Sequence, residues 1–161
     1  MDGLAILGGG KIGEALLSGL LRGERTPADI VVLEKHSERA QSLAESYGVQ
    51  VVNARDAAKF ARTFVLAVKP QDIDALLAEL TGLLTPEHLV VSVAAGVTTA
   101  HIERALDADV PVVRCMPNTP ALVDEAMTAI SAGAHAAERH LAVAESLLRA
   151  VGKVVRVPEA Q

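Results

Sequence analysis

Eight short apolar runs, most of them rich in β-branched residues, alternate along the chain with six longer amphipathic stretches. A chain written this way folds as parallel strands joined by crossover helices, because each strand must cross the protein before the next can pair beside it. The predicted strands are 3–8, 30–34, 50–52, 63–68, 89–93, 110–115, 126–131 and 153–157, and the predicted helices are 11–22, 37–47, 54–61, 71–83, 98–105 and 136–151. Several runs are apolar throughout, as in strands covered by helices on both faces. Ser37 is expected to cap the second helix, Gly48 to close it and Gly152 to close the last. Neither a repeat nor a linker divides the 161 residues, so a single domain is expected.

Composition narrows the partners. Half of the residues are hydrophobic, 15 lysines and arginines stand against 20 aspartates and glutamates, and the formal net charge is −5. Tyr47, Phe60 and Phe64 are the only aromatics. A chain with no basic face and no stacking platforms is not expected to bind nucleic acid. No stretch approaches the length of an apolar bilayer span, and the start of the chain runs into a strand without a leader-like segment, so neither membrane nor export is expected. Cys115, the one cysteine, lies in an apolar run and suits a reducing, cytoplasmic setting. The histidines at 36, 88, 101, 135 and 140 have no zinc-ligand spacing, so they are expected to be solvated or capping and no metal site is expected.

The first strand runs into Gly8-Gly9-Gly10-Lys11-Ile12-Gly13, and a helix follows at once. In this strand–turn–helix setting, Gly8 permits the tight turn, Gly10 lets the backbone approach a diphosphate, and Gly13 lets the helix pack on the strand. The free N–H groups and positive dipole end of the helix attract phosphate. The fold class is therefore α/β, a doubly wound, Rossmann-type and mostly parallel sheet of about eight strands, and the ligand expected is NADP or NAD. Glu34 ends the second strand, where a carboxylate accepts bonds from ribose hydroxyls and repels a 2′-phosphate. Lys35 and Arg39 follow closely and suit either a solvated helix start or, if Glu34 turns away, a 2′-phosphate. The preference between the two dinucleotides stays open at this level.

Ligands of such sheets lie beyond the carboxyl ends of the strands. Asn53 follows the third strand, with Asp56 three residues on, and suits an N-cap, an adenosine contact or both. Ala67-Val68-Lys69-Pro70 follows the fourth strand with small residues and a proline fit for a first helical turn. Ala94-Ala95-Gly96 follows the fifth, again with no bulk. Cys115-Met116-Pro117-Asn118-Thr119-Pro120 reads as a polar turn that presents Asn118 rigidly between two prolines. No nucleophilic triad, carboxylate pair or metal cluster assembles from these loops, so no catalytic residue is identified in the chain.

These motifs resemble the N-terminal domain of pyrroline-5-carboxylate reductase. The likeness rests on Ile6-Leu-Gly-Gly-Gly-Lys-Ile-Gly-Glu-Ala-Leu17, Ala67-Val-Lys-Pro70, Ser92-Val-Ala-Ala-Gly-Val97 and above all Val113-Arg-Cys-Met-Pro-Asn-Thr-Pro120, and it extends over essentially the whole chain. The resemblance implies hydride transfer from NAD(P)H to the C=N bond of 1-pyrroline-5-carboxylate, giving L-proline. It also implies diphosphate binding at Gly8 to Gly13, an adenosine contact at Asn53, cofactor contacts at Ala67–Pro70 and Ala94–Gly96, and Met116, Pro117 and Asn118 beside the nicotinamide. Members that use NADPH commonly carry a small polar residue and an arginine where this chain has Glu34-Lys35. The family continues into a helical domain with most of the substrate pocket and the dimer interface. Residues 1–161 are therefore expected to be the cofactor half, with association and turnover depending on the part not present. A stand-alone dinucleotide sensor and a small NADP oxidoreductase acting on another acceptor, such as a deazaflavin, are the alternatives.

Overall fold

The computed structural model describes residues 3–8, 10–23, 25–118 and 126–158. One eight-stranded sheet runs through it in the order β3-β2-β1-β4-β5-β6-β7-β8. The strands are β1 (Leu4–Leu7), β2 (Ile30–Leu33), β3 (Gln50–Val51), β4 (Thr63–Leu66), β5 (Leu89–Ser92), β6 (Val112–Asn118), β7 (Ala126–Ala132) and β8 (Gly152–Arg156). The helices are α1 (Lys11–Arg22), α2 (Ser37–Tyr47), α3 (Ala54–Phe60), α4 (Ile73–Leu80), α5 (Thr99–Leu106) and α6 (Glu138–Leu148). All pairings are parallel except β6 with β7. The doubly wound α/β reading of the sequence holds.

Every residue of β1, β4 and β5 is buried, as a strand covered from both sides requires. Alternate residues serve two cores. Leu4 and Ile6 of β1 pack with Leu16, Leu17 and Leu20 of α1, Leu43 of α2 and Leu147 of α6. Ala5 and Leu7 pack with Ala57 of α3, Leu76, Leu77 and Leu80 of α4, and Ile102 of α5. Helices α1, α2 and α6 therefore lie on one face, and α3, α4 and α5 on the other. Strand order reverses between β1 and β4, the place where the two loops leaving the sheet diverge and open a crevice.

Several local expectations hold. Asn53 caps α3, its side chain accepting from the Asp56 N–H at 2.8 Å, and Gly48 closes α2 in the left-handed region at φ 73°. Pro70 opens a 3-10 turn that leads into α4. His140 accepts the Ala137 N–H through Nδ1 at the start of α6, a capping role, and His88 accepts the Thr85 N–H through Nδ1 in the turn before β5.

Others are corrected. Ser37 is already the first residue of α2, and the cap is His36 in extended conformation, with its own N–H donated to Glu34 Oε1 at 3.1 Å. Gly152 does not close α6, whose cap is Arg149; it opens β8. Strand β4 stops at Leu66, two residues early, while β6 runs three residues past Cys115. The Met116-Pro117-Asn118 stretch is thus strand rather than turn, zipped to β7 by antiparallel pairing of Met116 with Ala129, Pro117 with Thr128 and Asn118 with Met127. The pairing of β5 with β6 ends at Arg114, so Pro117 lies where one side of the strand carries no ladder, and there a residue without an N–H is tolerated. Thr119 and Pro120 lie outside the described residues.

Cys115 is buried and free, and burial raises its thiol pKa far above the ordinary value. Since the thiolate is the nucleophile, the folded chain is expected to leave a disulfide indicator dye uncoloured and to release one equivalent of colour only on unfolding. Rapid labelling of the native chain contradicts this placement.

Candidate functional site

A cleft of about 520 Å3 opens at the reversal point, lined by Gly10, Lys11 and Ile12 after β1, Ala67, Val68, Lys69 and Pro70 after β4, Val93, Ala94 and Ala95 after β5, and Arg39 from α2. Three loops separated by tens of residues meet there because their strands are neighbours. The Ala67 N–H donates to Leu7 O at 2.8 Å and the Val93 N–H to Leu66 O at 3.1 Å, which holds the loops in step.

The three described glycines of the first loop do different things. Gly8 has φ +101°, and a Cβ there meets Ala67 O at 2.8 Å and the Ala67 carbonyl carbon at 2.9 Å. A Cβ on Gly13 falls 2.5 Å from Gly8 O and 3.3 Å from Ala67 Cβ. Both glycines are therefore required by the turn and by the seating of α1 on the sheet. Gly10 is not: its φ of −72° and ψ of −173° suit any residue, and a Cβ there meets nothing within 4 Å. The fold leaves that space open on the cleft side of a helix start that no side chain caps. Asn53 and Thr98 cap α3 and α5 with their side chains, whereas α2 and α4 start, like α1, without a side-chain cap. Uncapped N–H groups facing a glycine-floored hollow are what a phosphate requires. The residues present thus fit the diphosphate of a dinucleotide. Gly9 lies outside the described residues.

The sequence-derived site residues divide. Gly10, Lys11, Ile12, Ala67, Val68, Lys69, Pro70, Ala94 and Ala95 line the cleft. Gly8 and Gly13 shape its floor from behind. Gly96 supplies a turn at φ +74° beside it. Asn53 is spent on the α3 cap, and Asn118 is the last residue of β6. Glu34 turns its Oε1 to the His36 N–H at the start of α2. Lys35 reaches the opposite face of the sheet, 3.4 Å from Glu79 of α4. Arg39 sits in the cleft wall with Nη2 3.0 Å from Glu14 Oε1, and the Tyr47 hydroxyl donates to Glu14 Oε2 at 2.9 Å. That bond to a carboxylate raises the Tyr47 pKa. Val93 joins the lining without having been expected; its place directly after a fully buried strand was the available signal. Glu14 and Tyr47 had no signal, because their meeting depends on α1 and α2 packing side by side.

Among the described residues no group of three histidine, cysteine, aspartate or glutamate side chains is placed to hold a metal, and no helix is long and apolar enough to cross a membrane.

Over residues 3–96 the sequence matches the family described as NADP oxidoreductase, coenzyme F420-dependent. It is 44% identical over 167 residues to a pyrroline-5-carboxylate reductase of Mycobacterium tuberculosis, covering 100% of this chain and 57% of that protein. A pyrroline-5-carboxylate reductase of Synechocystis is 42% identical over 159 residues, covering 97% of this chain and 58% of the relative. Among solved structures, a pyrroline-5-carboxylate reductase from Coxiella burnetii superposes with a TM-score of 0.88 at 34% identity, over 97% of this chain and 58% of that one. The resemblance read from the motifs thus holds along the full length, and the chain spans a little more than half the length of these relatives.

Proposed function

The chain belongs to the family described as NADP oxidoreductase, coenzyme F420-dependent, and from that premise we propose that its cleft holds a nicotinamide dinucleotide for reduction of 1-pyrroline-5-carboxylate to L-proline. The observation that carries this reading is the open space above Gly10, which the fold does not need. The N–H groups that open α1 would hold the diphosphate, with Gly10 leaving it room. Lys11 and Ile12 flank it, and Lys69 adds a cation from the facing loop. Ala67, Val68 and Pro70 on one side and Val93, Ala94 and Ala95 on the other wall a slot for a flat ring. A dinucleotide held there would supply the hydride that reduction of the imine carbon requires. Asn118 and Gly96 are assigned to the nicotinamide end, and Asn53 to the adenosine end beside its capping role.

The choice of pyrroline-5-carboxylate over another acceptor rests on the similarity that continues beyond residue 96, through the strand that carries Met116, Pro117 and Asn118. We read residues 1–161 as the cofactor-binding unit. The imine pocket, the proton donor and the contacts of any homo-oligomer are assigned to the part of the relatives that this chain does not span. The buried thiol of Cys115 suits a reducing cytoplasm.

Saturable binding of NADH or NADPH, followed by nicotinamide fluorescence, is expected of the chain alone. Imine reduction is expected only once the remainder of a pyrroline-5-carboxylate reductase is added in trans. Binding with no turnover under that complementation favours a dinucleotide sensor, and no binding at all removes the proposal. For Glu34, replacement by serine is expected to raise the affinity for NADPH relative to NADH by about tenfold, since a carboxylate next to a 2′-phosphate is removed. A flat ratio in the same titrations places Glu34 away from the ribose.

A further inference from the structure

The adenosine ribose of a dinucleotide in such a cleft is read at the end of β2, and two cations follow that strand end, Lys35 and Arg39. Each is already engaged by a carboxylate. Lys35 is drawn to Glu79 at 3.4 Å, on the face away from α1. Arg39 is held at 3.0 Å by Glu14, and Glu14 is itself fixed by the Tyr47 hydroxyl at 2.9 Å. The main-chain donor at the start of α2, the His36 N–H, is taken by Glu34. Of these groups only Arg39 lines the cleft, and it also walls the adjoining hollow formed with Lys11, Glu14, Ala15, Ser18 and Tyr47.

Resting on the dinucleotide reading of the cleft, we infer that Glu14 is a specificity-determining residue: its carboxylate neutralises Arg39, the one cation of the β2–α2 corner that lies in the cleft wall, and so turns the chain toward NADH rather than NADPH. A 2′-phosphate carries close to two negative charges at neutral pH. To use Arg39 it must share the guanidinium with Glu14 and bear the repulsion of a carboxylate on the far side of that guanidinium. A ribose hydroxyl carries no charge and meets no such opposition. Tyr47 strengthens the arrangement by holding the Glu14 carboxylate where it meets Arg39. This assigns a role in cofactor choice to a residue of the first turn of α1, on a different element from Glu34.

The test is fluorescence titration of NADH and NADPH, separately, into the chain and its variants, with thermal melts to verify folding. The unmodified chain is expected to bind NADH the more tightly. Glu14→Gln keeps an oxygen and an amide of the same shape between Arg39 and Tyr47 while removing the charge, and the ratio of NADPH to NADH affinity is expected to rise about tenfold. Tyr47→Phe, which loosens Glu14 without changing any charge at neutral pH, is expected to move the ratio the same way by about threefold. Adding Arg39→Ala to Glu14→Gln is expected to cancel the gain. The inference is overturned if the Glu14→Gln ratio stays within about twofold of the unmodified chain, if the gain survives loss of Arg39, or if the unmodified chain prefers NADPH. Failure of the unmodified chain to bind either dinucleotide overturns the cleft reading as well, whereas binding of both with an unmoved ratio overturns this inference alone.

Discussion

Gly10→Val is expected to abolish dinucleotide binding and leave the protein folded. The backbone at this position is extended and a Cβ there meets nothing within 4 Å, so the isopropyl group enters the volume assigned to the diphosphate without displacing the loop. Loss of a well-placed phosphate contact together with a steric block costs about 3 kcal/mol or more of binding, at least about a hundredfold in Kd. Valine is a poorer start to a helix than glycine, and the melting temperature is expected to fall by no more than about 4 °C. Nicotinamide fluorescence titration and a thermal melt on the same sample read both quantities. An unchanged Kd removes Gly10 from the binding site.

Gly8→Ala, two residues earlier, is expected to fail in the opposite way. Its φ of +101° lies where an L side chain is strained, and the added methyl carbon falls within 3 Å of three atoms of Ala67 and Val68, two of them backbone. Strain of about 1–3 kcal/mol at such a backbone angle, together with a similar cost for overpacking, gives about 4 kcal/mol. For a chain of this length that corresponds to a fall in melting temperature of about 12 °C. Because the loop after β4 is the obstacle, relaxation must separate β1 from β4 at the centre of the sheet. A melt within about 3 °C of the unmodified protein contradicts the assignment of Gly8 to the turn. The two substitutions together divide the glycine motif into a residue the ligand needs and a residue the fold needs.

The central sheet was legible because its strands are covered on both faces. Leu4–Leu7 and Leu89–Ser92 are apolar or small throughout, and that pattern survives any detail of packing. The edges were less so. Strand β6 outruns its apolar run because an antiparallel partner, β7, pairs with it as far as Asn118, which no local preference announces. Gly152 looked like a helix stop by composition, yet its place is set by the parallel pairing of β8 with β7. The cleft was legible for a related reason. The glycine loop and the Ala67–Pro70 and Ala94–Ala95 segments each follow a recognisable strand, and strand order alone brings them together. The charges around it were not legible. Lys35 and Arg39 are four residues apart in one segment, yet they part to Glu79 and to Glu14 on opposite faces of the sheet. That divergence comes from the turn into α2 and from the packing of α2 on α1, neither of which the local sequence encodes.

The claim on which the account stands is that the main-chain amides opening α1 receive a diphosphate. Titrating NADH into isotopically labelled chain and following backbone amide resonances tests it directly. The predicted result is that Gly10, Lys11, Ile12 and Gly13 move furthest and saturate together, with Ala67 and Ala94 following along the same curve. Saturation with those four amides unmoved, or with the largest shifts in the groove where Gly19 of α1 and Gly23 just after it lie with Ser146 and Ala150 near the end of α6, contradicts it.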